Sequence, residues 1–194
     1  MASACWTRPR SSPKSWPELV GRPRLILITG PPGAGKTTLA YALGTAVGCP
    51  GVSRDAIKEG MVAAEPGFAA ATSDSLTLRT YGLFFATLDL LLRAEVTTVA
   101  EAAFGHRRWA QGLQPLTELA DLRLIRCQVT ELEARCRMQR RLDADPTRAA
   151  HADREHLAAL PDFTPLSLDA PALNVQTSAG YDPDLPSVVA FCRA

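Results

Sequence analysis

Eight residues, Gly30-Pro31-Pro32-Gly33-Ala34-Gly35-Lys36-Thr37, fit the pattern G-x-x-x-x-G-K-[ST]. They follow the apolar run Leu25-Ile26-Leu27-Ile28-Thr29 and open a helical pattern at Thr38-Leu39-Ala40. A glycine-rich turn between a buried strand and a helix is the setting in which this motif binds phosphate. Gly30, Gly33 and Gly35 allow backbone conformations closed to other residues. Gly30, Pro32, Gly33, Ala34, Gly35 and Thr38 are expected to line the nucleotide together with Lys36 and Thr37, and the successive N–H groups of the non-proline residues converge as an anion nest. The positive end of the helix dipole lies behind them. Lys36 is expected to span the β- and γ-phosphates, and the Thr37 hydroxyl to be a ligand of Mg²⁺. A bound nucleoside triphosphate is the firm expectation. No Asn-Lys-x-Asp guanine signature occurs, so ATP is the expected nucleotide.

The chain of 194 residues is long enough for one domain with a real core. Its net charge of +1 gives no general attraction to nucleic acid or membrane. No apolar run approaches the ~18 residues of a membrane span. Cys5, Cys49, Cys127, Cys136 and Cys192 form no C-x-x-C pair, which points to reduced thiols and a cytoplasmic protein rather than a zinc site or disulfide framework.

Residues 1–22 are rich in Pro, Ser and Arg and read as a flexible tail, so the domain is expected over 23–194. Beyond the first helix, which Gly48 ends, Val52 and Ser53 read as a short second strand. Asp55 stands where the next helix begins, either as a helix cap or as a catalytic base at the carboxyl ends of the strands. Residues 59–75 read as a mobile helix-loop segment. A long helix follows over 76–93, with Tyr81 and Phe84 read as core aromatics and Arg79 as solvated. Val96 to Glu101 is a β-branched strand ending in an acid. Glu101 would hold Mg²⁺ through water, grip a substrate hydroxyl, or simply be solvated. Arg107 and Arg108 read as surface charges.

Another strand spans 122–129, and Thr130-Glu131-Leu132-Glu133 has the look of a capping box. The helix it opens carries Arg135, Arg137, Arg140 and Arg141. One or two of these would reach the phosphates and neutralise charge during transfer. Residues 143–153 read as a lid turn, in which His151 could touch the acceptor but is expected as an exposed lid histidine. Residues 172–177 form the last strand, and a final helix ends near Cys192. Five strands alternating with helices give an α/β, three-layer P-loop NTPase fold with a mainly parallel five-stranded sheet and a helical lid.

From residue 25 onward this order of motifs resembles the P-loop kinases of the group holding phage polynucleotide 5′-kinases, zeta toxins and chloramphenicol phosphotransferase. The local match is Arg54-Asp55-Ala56-Ile57-Lys58, where the polynucleotide kinases carry Arg-Asp with a basic residue three positions on. The resemblance implies Asp55 as general base and Lys58 as a substrate contact, although Arg is usual there. It also implies that the lid helix supplies arginines to the phosphates. Arg135 matches the family's spacing, and Arg140 stands one place off it. Where the polynucleotide kinases carry Asp-Thr-Asn, this chain has Glu101-Ala102-Ala103. The expectation is therefore an ATP- and Mg²⁺-dependent kinase acting on a hydroxyl-bearing small molecule. A polynucleotide 5′-hydroxyl is the alternative acceptor, and an ATP-switched binding protein the alternative class.

Overall fold

A computed structural model describes residues 22–71, 74–104, 106–144, 150, 151, 153, 157 and 163–194, and the side chains of 106–108 are not included. The expected tail and the charges of Arg107 and Arg108 therefore lie outside the described residues.

The apolar run becomes β1 (Arg24–Thr29), in which Leu25, Ile26, Leu27 and Ile28 are all fully buried. A strand apolar on both faces needs cover on both sides, and only the centre of a parallel sheet supplies it. The remaining strands are β2 (Gly51–Ser53), β3 (Thr98–Glu101), β4 (Asp121–Gln128) and β5 (Ala172–Gln176). They run in the order β2-β3-β1-β4-β5, and every neighbouring pair is parallel. The sheet is thus wholly parallel, and β1 sits at its middle.

The helices are α1 (Lys36–Val47), α2 (Arg54–Ala63), α3 (Ser75–Arg93), α4 (His106–Leu113), α5 (Glu131–Ala144) and α6 (Leu185–Arg193), with a 3₁₀ turn at Gln114–Glu118. Two cores lie on opposite faces of the sheet. One joins Leu25, Leu27 and Leu124 to Phe84, Phe104 and Trp109; the other joins Ile26, Ile28 and Ile125 to Leu39, Leu43 and Val188. The period-2 alternation of β1 assigns its side chains to the two layers in turn. On the α3 side the aromatics pack edge to face: Trp109 lies 4.4 Å from Phe104 and 4.8 Å from Tyr81, centroid to centroid.

The helix expected at Asp55 forms directly after β2 and runs through Ala63, with Ser53 as its cap and Lys58 anchored to Asp74, and a loop follows it. Among the described residues, no helix is long and apolar enough to cross a membrane.

Candidate active site at the carboxyl end of the sheet

The loop between β1 and α1 is held by its own contacts, the Ala34 N–H donating to the Pro31 carbonyl at 3.2 Å, and by its neighbours. Gly33 has φ +78°, and a Cβ placed on it would come within 2.5 Å of the Ala134 carbonyl oxygen. Glycine is required there because α5 passes directly over the loop. Gly35, with φ 73°, takes the left-handed conformation that turns the chain into α1. No side chain caps α1, so its first N–H groups are left for an anion. The Lys36 Nζ folds back 2.9 Å onto the Pro31 carbonyl.

This loop forms one end of a cavity of about 910 Å³. Pro32, Gly33, Gly35, Lys36, Thr37 and Thr38 lie on its wall, while Gly30 and the fully buried Ala34 lie behind it. Asp55, Lys58, Glu101 and Arg140 also face it. The sheet order explains the meeting: β1 and β3 are neighbours, so the loop after one and the acid ending the other share a corner.

Ser53 takes the cap of α2, accepting from the Ala56 N–H at 3.3 Å. That leaves Asp55, one position into the helix, open to the cavity. Its Oδ1 accepts from Arg54 Nη1 at 3.0 Å, and the Arg54 guanidinium lies 5.2 Å from the centre of the Tyr81 ring. Burial works against the charge of Asp55, but a protonated His151, Arg54 and Lys36 outweigh it and hold the carboxyl at about 2. Burial pushes Glu101 above the usual carboxylate range, with Lys36 pulling it down and Asp55 adding to the rise. Ser53 donates to Glu101 Oε2 at 2.8 Å, and the Thr37 hydroxyl is also hydrogen-bonded to Glu101. Burial lowers the Lys36 ammonium, opposed by Glu101 and Asp55.

A hydroxyl beside a carboxylate at the edge of an anion nest is a donor set suited to a hard, oxygen-seeking cation. The residues present therefore fit Mg²⁺, with Thr37 as the direct ligand and Glu101 behind it. Among the described residues no group of three or more His, Cys, Asp or Glu side chains could hold a metal by itself.

Arg135 is seated differently from its neighbours. Its Nη1 donates to the Leu157 carbonyl at 2.6 Å and its Nε pairs with Glu131 at 3.1 Å, and it does not line the cavity. Arg137, Arg140 and Arg141 do line it. Arg137 reaches furthest, donating to the Thr177 carbonyl at 2.7 Å and to the Thr177 hydroxyl at 3.3 Å, while also pairing with Glu133. The Thr177 hydroxyl in turn donates to the Ala34 carbonyl at 3.0 Å. Helix α5, the loop after β5 and the phosphate loop are thereby tied together. The one sequence sign of Arg137's position is its i,i+4 relation to Glu133.

Two further residues fall outside expectation. Lys58 is buried, and its Nζ lies 2.7 Å from Asp74 Oδ2, with side chains only 3% and 8% exposed. Asp74 simultaneously caps α3, accepting from the Thr77 N–H at 2.7 Å. His151, expected at the surface, is 7% exposed and its Nε2 lies 2.9 Å from Glu59 Oε1. No feature of the sequence marks that pairing.

A wholly parallel sheet, a glycine-rich phosphate loop after its central strand and a carboxylate across the cavity define a P-loop protein of the kinase group. The AAA domain family model matches residues 25–166, and the chain belongs to that family. No curated protein matches the chain by sequence. Among solved structures, a "putative kinase" from Chloroflexus aurantiacus superposes with a TM-score of 0.77 at 26% identity, covering 89% of this chain and 98% of the other. The Mycobacterium tuberculosis APS kinase CysC, solved with AMPPNP and APS, has a TM-score of 0.64 at 14% identity, over 89% of this chain and 99% of that one. A chain of the Pnkp1/Rnl/Hen1 RNA repair complex has a TM-score of 0.56 at 19% identity, over 77% of this chain and 50% of that one. The last two resemblances concern the fold.

Proposed function

We propose that the chain is an ATP-dependent kinase that transfers the γ-phosphoryl group to a hydroxyl of a small molecule. The observation that carries this reading is that Asp55 faces the same cavity as Lys36 and Thr37, close enough for its charge to act on Lys36. The loop N–H groups and Lys36 would hold the triphosphate. Mg²⁺, held by Thr37 with Glu101 behind it, supplies neutralisation of phosphate charge when bound.

Asp55 would accept a hydrogen bond from the attacking hydroxyl and fix its approach. A carboxyl held at about 2 is ionised at any working pH but weakly basic. That suits phosphoryl transfer, whose loose transition state draws the hydroxyl proton away late. The proton would finally rest on Asp55 and pass to water as product leaves. Arg140 and Arg141 on the cavity wall would neutralise charge on the moving group. Arg137 would act mainly by holding α5 against the loop.

A small acceptor is favoured over a polynucleotide because Glu101-Ala102-Ala103 stands where the polynucleotide kinases carry Asp-Thr-Asn, and the buried Glu101 on the cavity wall suits a hydroxyl-rich small molecule. The near-neutral net charge supplies no general basic track for a backbone. The test is turnover of ATP with a panel of nucleosides, sugars, aminoglycosides, phenylpropanoid antibiotics and 5′-hydroxyl oligonucleotides, read as product mass. A phosphorylated small molecule is the expected result. Product on oligonucleotides alone would overturn the acceptor class. ATP hydrolysis with no phosphorylated acceptor, together with nucleotide-dependent oligomerisation, would favour an ATP switch.

A further inference from the structure

Helix α3 is apolar on two opposite faces. Leu76, Thr80, Phe84, Leu88 and Leu92 recur at every fourth position and are buried. Turned away from them stand Leu78, Gly82, Ala86 and Leu90, again at every fourth position, and all four are exposed. Leu78 and Leu90 are 61% and 69% exposed, and Leu83 on the flank is 47% exposed. A helix that only covers a core carries polar residues on that side. The other large exposed apolar side chains, Tyr41 and Leu132, stand singly on α1 and α5, as on any surface. At the middle of the α3 face a Cβ on Gly82 would meet nothing within 4 Å, so a second helix can come close there.

We propose that this face of α3 joins two copies of the chain in an isologous dimer, the two α3 helices packed antiparallel about a two-fold axis at the level of Phe84. Such an axis, perpendicular to the helix, sets residues equally far from it on either side level with one another. Gly82 then lies level with the partner's Ala86, Leu78 with the partner's Leu90, and Arg79 with the partner's Asp89. The small residues give the close approach at the centre, and the leucines close the apolar seam at both ends. Each Arg79 meets a carboxylate across the seam, twice by symmetry. Asp89 already lies 2.8 Å from Arg93 on its own helix, and its side chain, 38% exposed, has acceptor sites left for a second cation. A parallel pairing in register would set Arg79 against the partner's Arg79, so the charges select the antiparallel one. From Leu78 to Leu90 the seam runs about 18 Å, a contact at the small end of specific interfaces, which predicts a reversible dimer of micromolar affinity. The dimer is independent of the reaction proposed above, since Thr77 and Tyr81 face the cavity from the other side of α3.

Sedimentation equilibrium of the full-length chain, from about 1 to about 300 μM, should show a monomer–dimer equilibrium. Leu90→Glu should weaken it by at least about tenfold, because it sets a charge in the apolar seam. Arg79→Asp and Asp89→Arg should each weaken it about tenfold, because each brings like charges level. An equimolar mixture of those two variants should dimerise again to within about threefold of wild type, because every pair across the seam is then of opposite sign. Tyr41→Glu and Leu132→Glu, on other faces, should leave the equilibrium unchanged. Thermal melts follow folding separately.

A chain that stays monomeric across this range would overturn the proposal, and would leave the face to some other occupant. So would a dimer that Leu90→Glu leaves intact, which would be built on another surface. Charge variants that stay monomeric when mixed would overturn the antiparallel register, and with it the dimer described. If Asp89→Arg does not fold, Leu90→Glu and Arg79→Asp carry the test, and both must weaken the dimer.

Discussion

The two ends of the cavity are built from different materials. The phosphate end is made of backbone: a left-handed Gly35, an uncapped α1, and a loop on which α5 rests at Gly33. The proposed acceptor end is made of charged side chains held in pairs: Arg54 with Asp55 within α2, Lys58 with Asp74, and His151 with Glu59. Backbone N–H groups are lost only to proline and do not titrate. Paired side chains are lost to most substitutions and can titrate. The phosphate end should therefore fail by steric intrusion, and the acceptor end by loss of charge.

The sharpest way to break this contrast is Asp55→Asn. It removes the charge while keeping the shape, so turnover should drop by about 10³-fold or more while nucleotide affinity stays within about twofold. Single-turnover kinetics and titration calorimetry with a non-hydrolysable ATP analogue separate the two quantities. Near wild-type transfer in this variant would show that Asp55 is not the base.

Stability gives the next largest effect. Lys58→Met leaves Asp74 buried and unpaired, which costs about 3–5 kcal/mol in comparable sites. The double variant Lys58→Met, Asp74→Asn should regain much of this, since Asn keeps the cap of α3 and drops the charge. Urea unfolding of both variants checks it. If Lys58→Met unfolds at the wild-type midpoint but weakens acceptor binding, Lys58 acts on substrate, as the family resemblance implies.

Acid provides a smaller and graded test. Burial opposes the ionisation of Asp74, but the Lys58 hydrogen bond and the Thr77 and Ala71 N–H groups hold its carboxyl down to about 2, against 3.8 ordinarily. A carboxyl depressed in the folded state stabilises fully above its unfolded value, and the gain is lost as pH falls through the folded value. Between pH 5 and pH 2 the wild type should lose about 2 kcal/mol from Asp74. Asp55 is shifted in the same direction, but its side chain is 39% exposed, so solvent screening leaves it a smaller share. The Lys58→Met, Asp74→Asn variant should lose correspondingly less across that range in urea melts.

The same contrast decides what could be read from the chain. Gly30 to Thr37 is contiguous, and each residue type answers a local backbone need, so the motif, its strand and its helix are legible without a structure. The sheet follows from short apolar runs with helices between them. The boundaries of α2 are less legible, because the residue that anchors it, Lys58, finds its partner 16 positions on. Arg137 finds Thr177 40 positions away, and His151 finds Glu59 92 positions away. Nothing local in the sequence fixes which arginine of α5 turns inward, since helical spacing spreads four of them around the helix and only the packing partner selects among them.

That selection yields the smallest predicted difference. Arg135 and Arg140 lie on one helix, and the sequence favours Arg135 by its spacing. The structure points Arg135 at the Leu157 carbonyl and Glu131, and Arg140 at the cavity. Arg140→Ala should lower kcat by about tenfold through lost charge on the transferring group, while Arg135→Ala should change kcat by no more than about twofold. Arg135→Ala removes a side chain that is 37% exposed and paired with a 69% exposed Glu131, so its cost should be slight in stability too. The reverse order, with Arg135→Ala the more damaging in kcat at unchanged stability, would mean that α5 rotates or closes further when nucleotide binds. The phosphate end would then draw on Arg135 as well as on its backbone, and the division between a backbone-built end and a side-chain-built end would fail.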